Sequence, residues 1–586
     1  MSNQHLSMRW QYSHPRPKSV TTANKILIVA ILALHACMLA WSATRHSPTI
    51  DEPAHLAAGL SHWFLGETDL YAVNPPLVRA VAAIPVILLQ PKLNWKEFEP
   101  IERRRSEFRV GRDFVRANGE RTFWLTTVAR WACIPFSLIG AWVCYQWSSE
   151  LFGYRSGLAA LTIWCASPAM LAYGALITPD VPSATFTILS TYLFCRWLKQ
   201  GGWPATWEAG LAFGVACLTK ASSILLPLVW LILLAVHFAA RSDSSRPLRK
   251  ATQFATLILI GIIVLNLGYG FDSTFKRLGT FTFVSNTLGG DQNHQELMCK
   301  NRFATSILGE LPVPLPANFV LGLDRQKFDF ERGLQKYFFG IKDDSPKGWR
   351  TFYITLLLIK VPIGFLLLFV YSTIFLCTSV NSRLMMVILP PACILAFVST
   401  QSGLAYYRYL MPAFPFLIIW CSGAFSTSMP WTSPRMFVPG VFLLAGVTGS
   451  LHVFPHSLSF FNAIAGGPDN GRFYAVDSNF DWGQDLLYLK EWIHRHPEVG
   501  TMDAVLFSQL DFDSIGLDVQ PLGEDGNNEL DSEFVAISAT MLARNGGVDR
   551  NEPALLVQET SWTKLLKQEP FAKVGYTIHI FRGPIE

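Results

Sequence analysis

The chain has 586 residues, of which 50% are hydrophobic, 13% aromatic and 16% charged, against roughly 25% charged in an ordinary soluble domain. So much apolar surface has to lie in hydrocarbon, which excludes a wholly soluble enzyme and a disordered chain. The formal net charge is only +5 and the basic residues scatter over loops, so there is no electrostatic footprint for nucleic acid.

Residues 1–25 form a basic tail with Arg9, Arg16, Lys18 and Lys25. The apolar run after it reads as a retained first span, since no small-residue cleavage site precedes Asp51. Runs able to cross about 30 Å of hydrocarbon lie at 26–44, 123–147, 157–175, 181–197, 205–219, 221–239, 251–270, 352–377, 384–400, 410–428 and 436–453. Together they predict a polytopic α-helical membrane protein of about eleven spans. Arg155, the pair Arg196 and Lys199, the cluster Arg241, Arg246, Arg249 and Lys250, then Arg383 and Arg435 fall in alternate short loops with the N-terminal tail. The positive-inside bias makes those loops cytoplasmic, and Lys220 and Arg408 then lie on the outer side. Of the ten cysteines, nine fall within apolar stretches and Cys299 does not, so no disulfide framework is expected, and no CxxC pair offers zinc spacing.

Pro76 to Gln90 is expected as a helix along the outer membrane surface, because about fifteen residues interrupted by Arg79 and Pro85 are too few to span. The outer side then carries a long first loop (45–122) with juxtamembrane helices, a short second loop around Asp180, a large loop (271–350) and the tail. The membrane domain is expected over 26–453. The tail, 454–586, has strand-like runs at Ala504–Phe507, Phe534–Ile537, Ala554–Val557 and Val574–Phe581 and reads as a small extracytoplasmic α/β domain.

Several residues on the outer side are equipped for chemistry. Asp51 and Glu52 follow the first span, with His55 one turn on; Asp180 follows Thr178-Pro179 in the second loop. Either aspartate alone reads equally well as a helix cap. Two acids at the same depth on the same side suit a base for a hydroxyl nucleophile, or ligands for a divalent metal should one be used. Lys220 and Arg408, at the outer ends of their spans, suit a lipid-linked phosphate, with snorkelling to headgroups as the plainer reading. In the tail, Asp477-Ser478-Asn479-Phe480-Asp481-Trp482-Gly483-Gln484-Asp485 is the densest polar and aromatic run. Asp481 and Trp482 there suit carbohydrate contact, and a structural turn fits the run as well.

Asp51-Glu52, Asn74-Pro75-Pro76-Leu77, Thr178-Pro179-Asp180 and Leu218-Thr219-Lys220 resemble the GT-C superfamily of membrane glycosyltransferases. The nearest branch is the bacterial one related to protein O-mannosyltransferases and the lipid A aminoarabinose transferase, and the resemblance covers about 26–450. It implies that Asp51 is the catalytic base and that Asp180 and Glu52 complete the acidic site. It also implies that Lys220 and Arg408 hold a polyprenyl phosphate; His55 and Asn74, close by in sequence, are expected to line the substrate site. Asn74 stands where the family pattern often has a lysine. The implied reaction is inverting transfer of a sugar from a polyprenyl-phosphate donor to a hydroxyl of a lipid, glycan or protein, on the outer face of a bacterial inner membrane. A transporter or flippase for an envelope lipid or sugar is the alternative; the lack of an internal repeat and the placement of the acids at span ends weigh against it.

Overall fold

The computed structural model describes residues 21–98, 105–239, 247–290, 301–345, 348–377, 382–401, 403–426, 434–522, 532–549, 564 and 567–582. The expected run at 554–557, Cys299, Arg241 and Arg246 lie outside them. Helices occupy all eleven expected spans. Among the described residues, five are long and apolar enough to cross a membrane: Thr22–Arg45, Arg121–Phe152, Ala221–Ala239, Leu248–Gly268 and Tyr407–Phe425. The number rises to seven if each of two bent helix pairs is one span, against the eleven expected.

Both bends have the same cause. Helix Tyr154–Ala166 meets Pro168–Gly174 at 56°, and Phe352–Lys360 meets Ile363–Leu376 at 111°. In each case the residue before the proline is extended, Ser167 at φ −67°, ψ 127° and Val361 at φ −102°, ψ 135°. Proline disfavours the helical region for its predecessor and brings no N–H to the ladder. The stretches 157–175 and 352–377, expected as continuous spans, are therefore broken helices.

The long first loop is helical. Glu52–Leu65, Leu77–Leu88 and Ser106–Asn118 pack on one another and on Arg121–Phe152 around Leu56, Leu60, Val78, Ala82, Phe114 and Leu125. Leu77–Leu88 has twelve residues and is about 18 Å long at 1.5 Å per residue, too short to cross the hydrocarbon. Arg79 does not interrupt it as a solvated charge. It is buried, and its guanidinium donates to the carbonyls of Thr68, Tyr71 and Asn74 at 2.8, 2.6 and 2.8 Å, fixing the turn that leads into the two prolines.

In the large loop, helix Ala317–Arg332 precedes an antiparallel hairpin of Lys336–Phe338 and Ile341–Asp343. A strand from the tail, Val548–Asp549, adds to that hairpin in parallel. The rest of the tail's sheet has five strands in the order Gln520–Pro521, Asp503–Val505, Phe534–Ser538, Ile578–Arg582, Ala572–Val574. The first two pairings are parallel and the last two antiparallel. The sheet-bearing part begins only after the helix Leu486–Arg495. Residues 454–485 instead run in short 3₁₀ turns against the helices, where Leu458, Phe461, Phe480 and Trp482 share one continuous core with Tyr173, Tyr407 and Phe414.

Candidate functional site

Asp51 occupies the cap position of helix Glu52–Leu65, yet its side chain makes no capping hydrogen bond. It accepts from Arg408 instead: Nη1 of Arg408 lies 3.0 Å from Asp51 Oδ2. Asp180 opens helix Asp180–Gln200 and likewise faces a cation, with Lys220 Nζ donating to its Oδ1 at 2.9 Å. Lys220 reaches it because the chain turns extended between Trp203–Thr219 and the following 3₁₀ turn. The second pair is the more buried, at 10% and 3% side-chain exposure, and Asp180 Oδ2 has no partner among the described residues.

The two pairs form one cluster. Arg408 interacts electrostatically with both Asp51 and Asp180, and so does Tyr409 beside it. The Lys220 ammonium lies 5.1 Å from the centre of the Tyr409 ring. The guanidinium carbon of Arg408 is 4.8 Å from the Tyr406 ring and 4.3 Å from the Trp482 ring, within cation–π range of each. Asp51 and Asp180, the residues expected to hold a divalent metal if one is used, thus each carry a positive partner, and a metal ion there would compete with both.

Glu52 has a different environment. It is fully buried, and its two oxygens take Arg130 Nε at 2.8 Å and Nη2 at 2.6 Å, the Thr49 N–H at 2.8 Å and the Ile177 N–H at 3.0 Å. Burial alone would raise its pKa, but Arg130 and the two backbone donors hold it below the ordinary carboxylate range. Arg130 also donates to the carbonyls of Ala43, His46 and Ser47 at 3.1, 2.7 and 2.9 Å. This clamp ties the exit of the first span to the segment just before Asp180, which brings the two acidic loops together.

His55 is buried and stacks on Tyr71 with ring centres 4.4 Å apart; burial, then Arg79 and Arg408, push its pKa down to about 3, so it is neutral. Asn74 contributes its carbonyl to Arg79. Asp481 is buried, accepting from the Thr540 N–H at 2.8 Å and the Gly483 N–H at 3.3 Å, and burial pushes it up to about 7. Trp482, expected as a sugar platform, is buried beneath Arg408. Its carbonyl accepts from the Ile50 N–H at 3.1 Å, while the Gln484 carbonyl accepts from the Ser47 N–H at 3.0 Å. The polar run of the tail is therefore stitched to the loop bearing Asp51. Sequence reasoning missed Tyr409, Tyr406 and Arg130. The first two flank Arg408 in a Tyr-Tyr-Arg-Tyr run that offers a visible signal, whereas Arg130 sits inside an apolar helix with nothing to mark its partner.

Residues 124–268 match the family model of dolichyl-phosphate-mannose-protein mannosyltransferase. Over those residues the match agrees with the resemblance read from the sequence. The matched stretch includes Arg130, Asp180 and Lys220 and leaves Asp51 and Arg408 outside it. No curated protein matches the chain. Among solved structures, ArnT from Cupriavidus metallidurans in the apo state is similar at 11% identity and TM-score 0.45, covering 96% of this chain and 100% of that one. The same protein bound to undecaprenyl phosphate gives 12%, 0.44 and the same coverage. The Archaeoglobus fulgidus oligosaccharyltransferase in the apo form is similar at 12% and 0.41 over 73% of this chain and 55% of that one. At these scores no residue role is taken from them.

Proposed function

We propose that the chain is an inverting glycosyltransferase that moves a sugar from a polyprenyl-phosphate donor to an acceptor hydroxyl at the outer membrane surface. The observation that carries this reading is the convergence of two carboxylates and two cations, Asp51 with Arg408 and Asp180 with Lys220, at the ends of helices in a chain whose residues 124–268 match a mannosyltransferase family model. An incoming donor phosphate competes for the cations, Arg408 as a fork and Lys220 as a point charge. Each cation it draws away releases a carboxylate oxygen. The pairs thereby keep two charges of each sign neutralised in a low-dielectric site until substrate arrives.

Asp51 is the base. It takes the acceptor hydroxyl proton as that oxygen bonds to the anomeric carbon, on the face opposite the phosphate; the bond from that carbon to the phosphate oxygen breaks and its electron pair leaves on the phosphate. A phosphate ester leaves readily, so a strong general acid is unnecessary, and cations on its oxygens suffice. Asp180, with its unpartnered Oδ2, orients the acceptor. Glu52 is a positioning residue that holds the two acidic loops together, and Trp482 and Tyr406 hold the plane of Arg408.

Sugar transfer from a polyprenyl-phosphate donor, measured in membranes for wild type beside Asp51→Asn and Asp180→Asn, tests the reading. Losing a positioned base lowers the rate about 10²- to 10⁴-fold; unchanged transfer in both variants overturns it. A topology reporter fused near residue 110 adds a second test, since a cytoplasmic signal there would separate the two acids by the bilayer.

A further inference from the structure

Away from the acid–cation cluster, His46, just past the first helix, meets His456 and Asp485 of the tail. One nitrogen from each imidazole and a carboxylate oxygen of Asp485 all lie within 4.8 Å of one another. His456 Nδ1 lies 3.4 Å from Asp485 Oδ1. Asp485 is fully buried, and these two facing atoms have no hydrogen-bond partner among the described residues.

The opposite side of two of the three groups is already fixed. His46 Nδ1 is 3.0 Å from the Ser42 carbonyl, which places the proton on that nitrogen and leaves the Nε2 lone pair free. Asp485 Oδ2 accepts from Thr577 Oγ1 at 2.9 Å and from the Tyr576 N–H at 3.3 Å, which leaves Oδ1 to face His456. A ligating histidine that donates its other N–H to a backbone carbonyl, beside a carboxylate whose second oxygen is hydrogen-bonded, is the outer arrangement that orients metal ligands. Tyr488 and Tyr576 close over His456, with ring centres 4.7 and 5.4 Å away.

We propose that His46, His456 and Asp485 form a zinc site that staples the exit of the first helix to the tail. The donor set of two imidazoles and one carboxylate suits Zn²⁺, with a fourth position left for water. Zinc bonds of about 2.0–2.1 Å put tetrahedral ligands about 3.3 Å apart, and the His456–Asp485 separation of 3.4 Å already matches that edge. The other two separations lie within 4.8 Å, so closing the triangle needs a shift of up to about 1.5 Å in His46, which stands edge-on to His456 with ring centres 5.3 Å apart. The site is separate from the transfer chemistry proposed above and does not depend on it.

The test is metal analysis of the full-length protein purified in detergent, dialysed against Zn²⁺ and then against metal-free buffer. Wild type is expected to retain about one zinc per chain, and His456→Gln and Asp485→Asn less than a fifth of that, with the wild-type melting temperature falling on chelation and recovering on zinc addition. The two single variants and the chelated wild type separate loss of metal from loss of fold, because chelation leaves the sequence intact. Two outcomes overturn the proposal. One is wild type with no retained zinc and no response to chelation, which would make the pair a His–Asp hydrogen bond. The other is equal retention by wild type and both variants, which would place the metal on other ligands.

Discussion

Trp482 lies under Arg408: the guanidinium carbon stands 4.3 Å from the centre of the indole ring while Nη1 reaches Asp51 at 3.0 Å. A residue of the tail thus sets the plane of a cation in the membrane half. Trp482→Ala is expected to remove a stack of about 0.5–2 kcal/mol, lowering donor affinity more than the rate at saturation. Trp482→Phe keeps a ring and recovers part of the loss. Donor titration in the transfer assay separates KM from kcat, and a fall confined to kcat would count against the positioning role.

The buried clamp of Glu52 and Arg130, with side-chain exposures of 0% and 1%, predicts a stability effect. Glu52→Ala strands the guanidinium in the interior, and breaking a buried pair from one side costs about 3–5 kcal/mol. Thermal unfolding in detergent should show a large fall for Glu52→Ala and a smaller one for Glu52→Gln, which keeps an acceptor for Arg130.

Removing Lys220 separates two roles in the same way. Lys220→Ala leaves Asp180 buried with neither oxygen paired, so both folding and transfer should suffer. Lys220→Arg keeps the charge but not the compact shape, and is expected to restore stability further than it restores transfer. Equal recovery of both by arginine would show that only the charge at this position matters.

Gly59 is required by close approach. A Cβ there would lie 2.2 Å from the carbonyl oxygen of Arg79, a backbone atom that cannot swing away. Gly59→Ala should force helices Glu52–Leu65 and Leu77–Leu88 apart and cost about 1–3 kcal/mol, read as a fall in melting temperature.

His579 gives the tail a pH dependence. It is buried in strand Ile578–Arg582, and burial, then Arg472 and Lys573, lower its pKa to about 3. Against an unfolded value near 6.5, the folded state favours the neutral ring. Its stabilisation is fully present above pH about 6.5 and is lost as pH falls toward 3. The melting-temperature difference between wild type and His579→Gln should shrink over that window; a constant difference would count against a neutral buried ring.

Local chemistry explains what was readable in advance. Apolar runs mark helices, and all the expected spans are helical, because in hydrocarbon only a helix satisfies the backbone within a single segment. Asp51, Asp180, Lys220 and Arg408 stood out as charges at the ends of apolar runs, and the structure brings these four together. The breaks before Pro168 and Pro362 were also written in the chain, but within runs apolar enough to look continuous. The span at 352–377 even ends its first half on a buried lysine: Lys360 donates to the carbonyls of Leu458 and Phe460 at 3.1 and 3.0 Å and to that of Asn479. A cation that satisfies carbonyls about a hundred residues away leaves no local trace.

By itself, the sequence determined the helical membrane class, the helical first loop and the identity of the charged side chains at the helix ends, because each depends on neighbours along the chain. Only the tertiary structure decided which cation faces which acid, that Glu52 clamps while Asp51 stays open to a cation, and that Trp482 lies beneath Arg408 instead of facing solvent. Those outcomes depend on atoms a few ångströms apart in space but far apart in sequence. Their energies come from shared burial, which exists only once the loops have closed on one another.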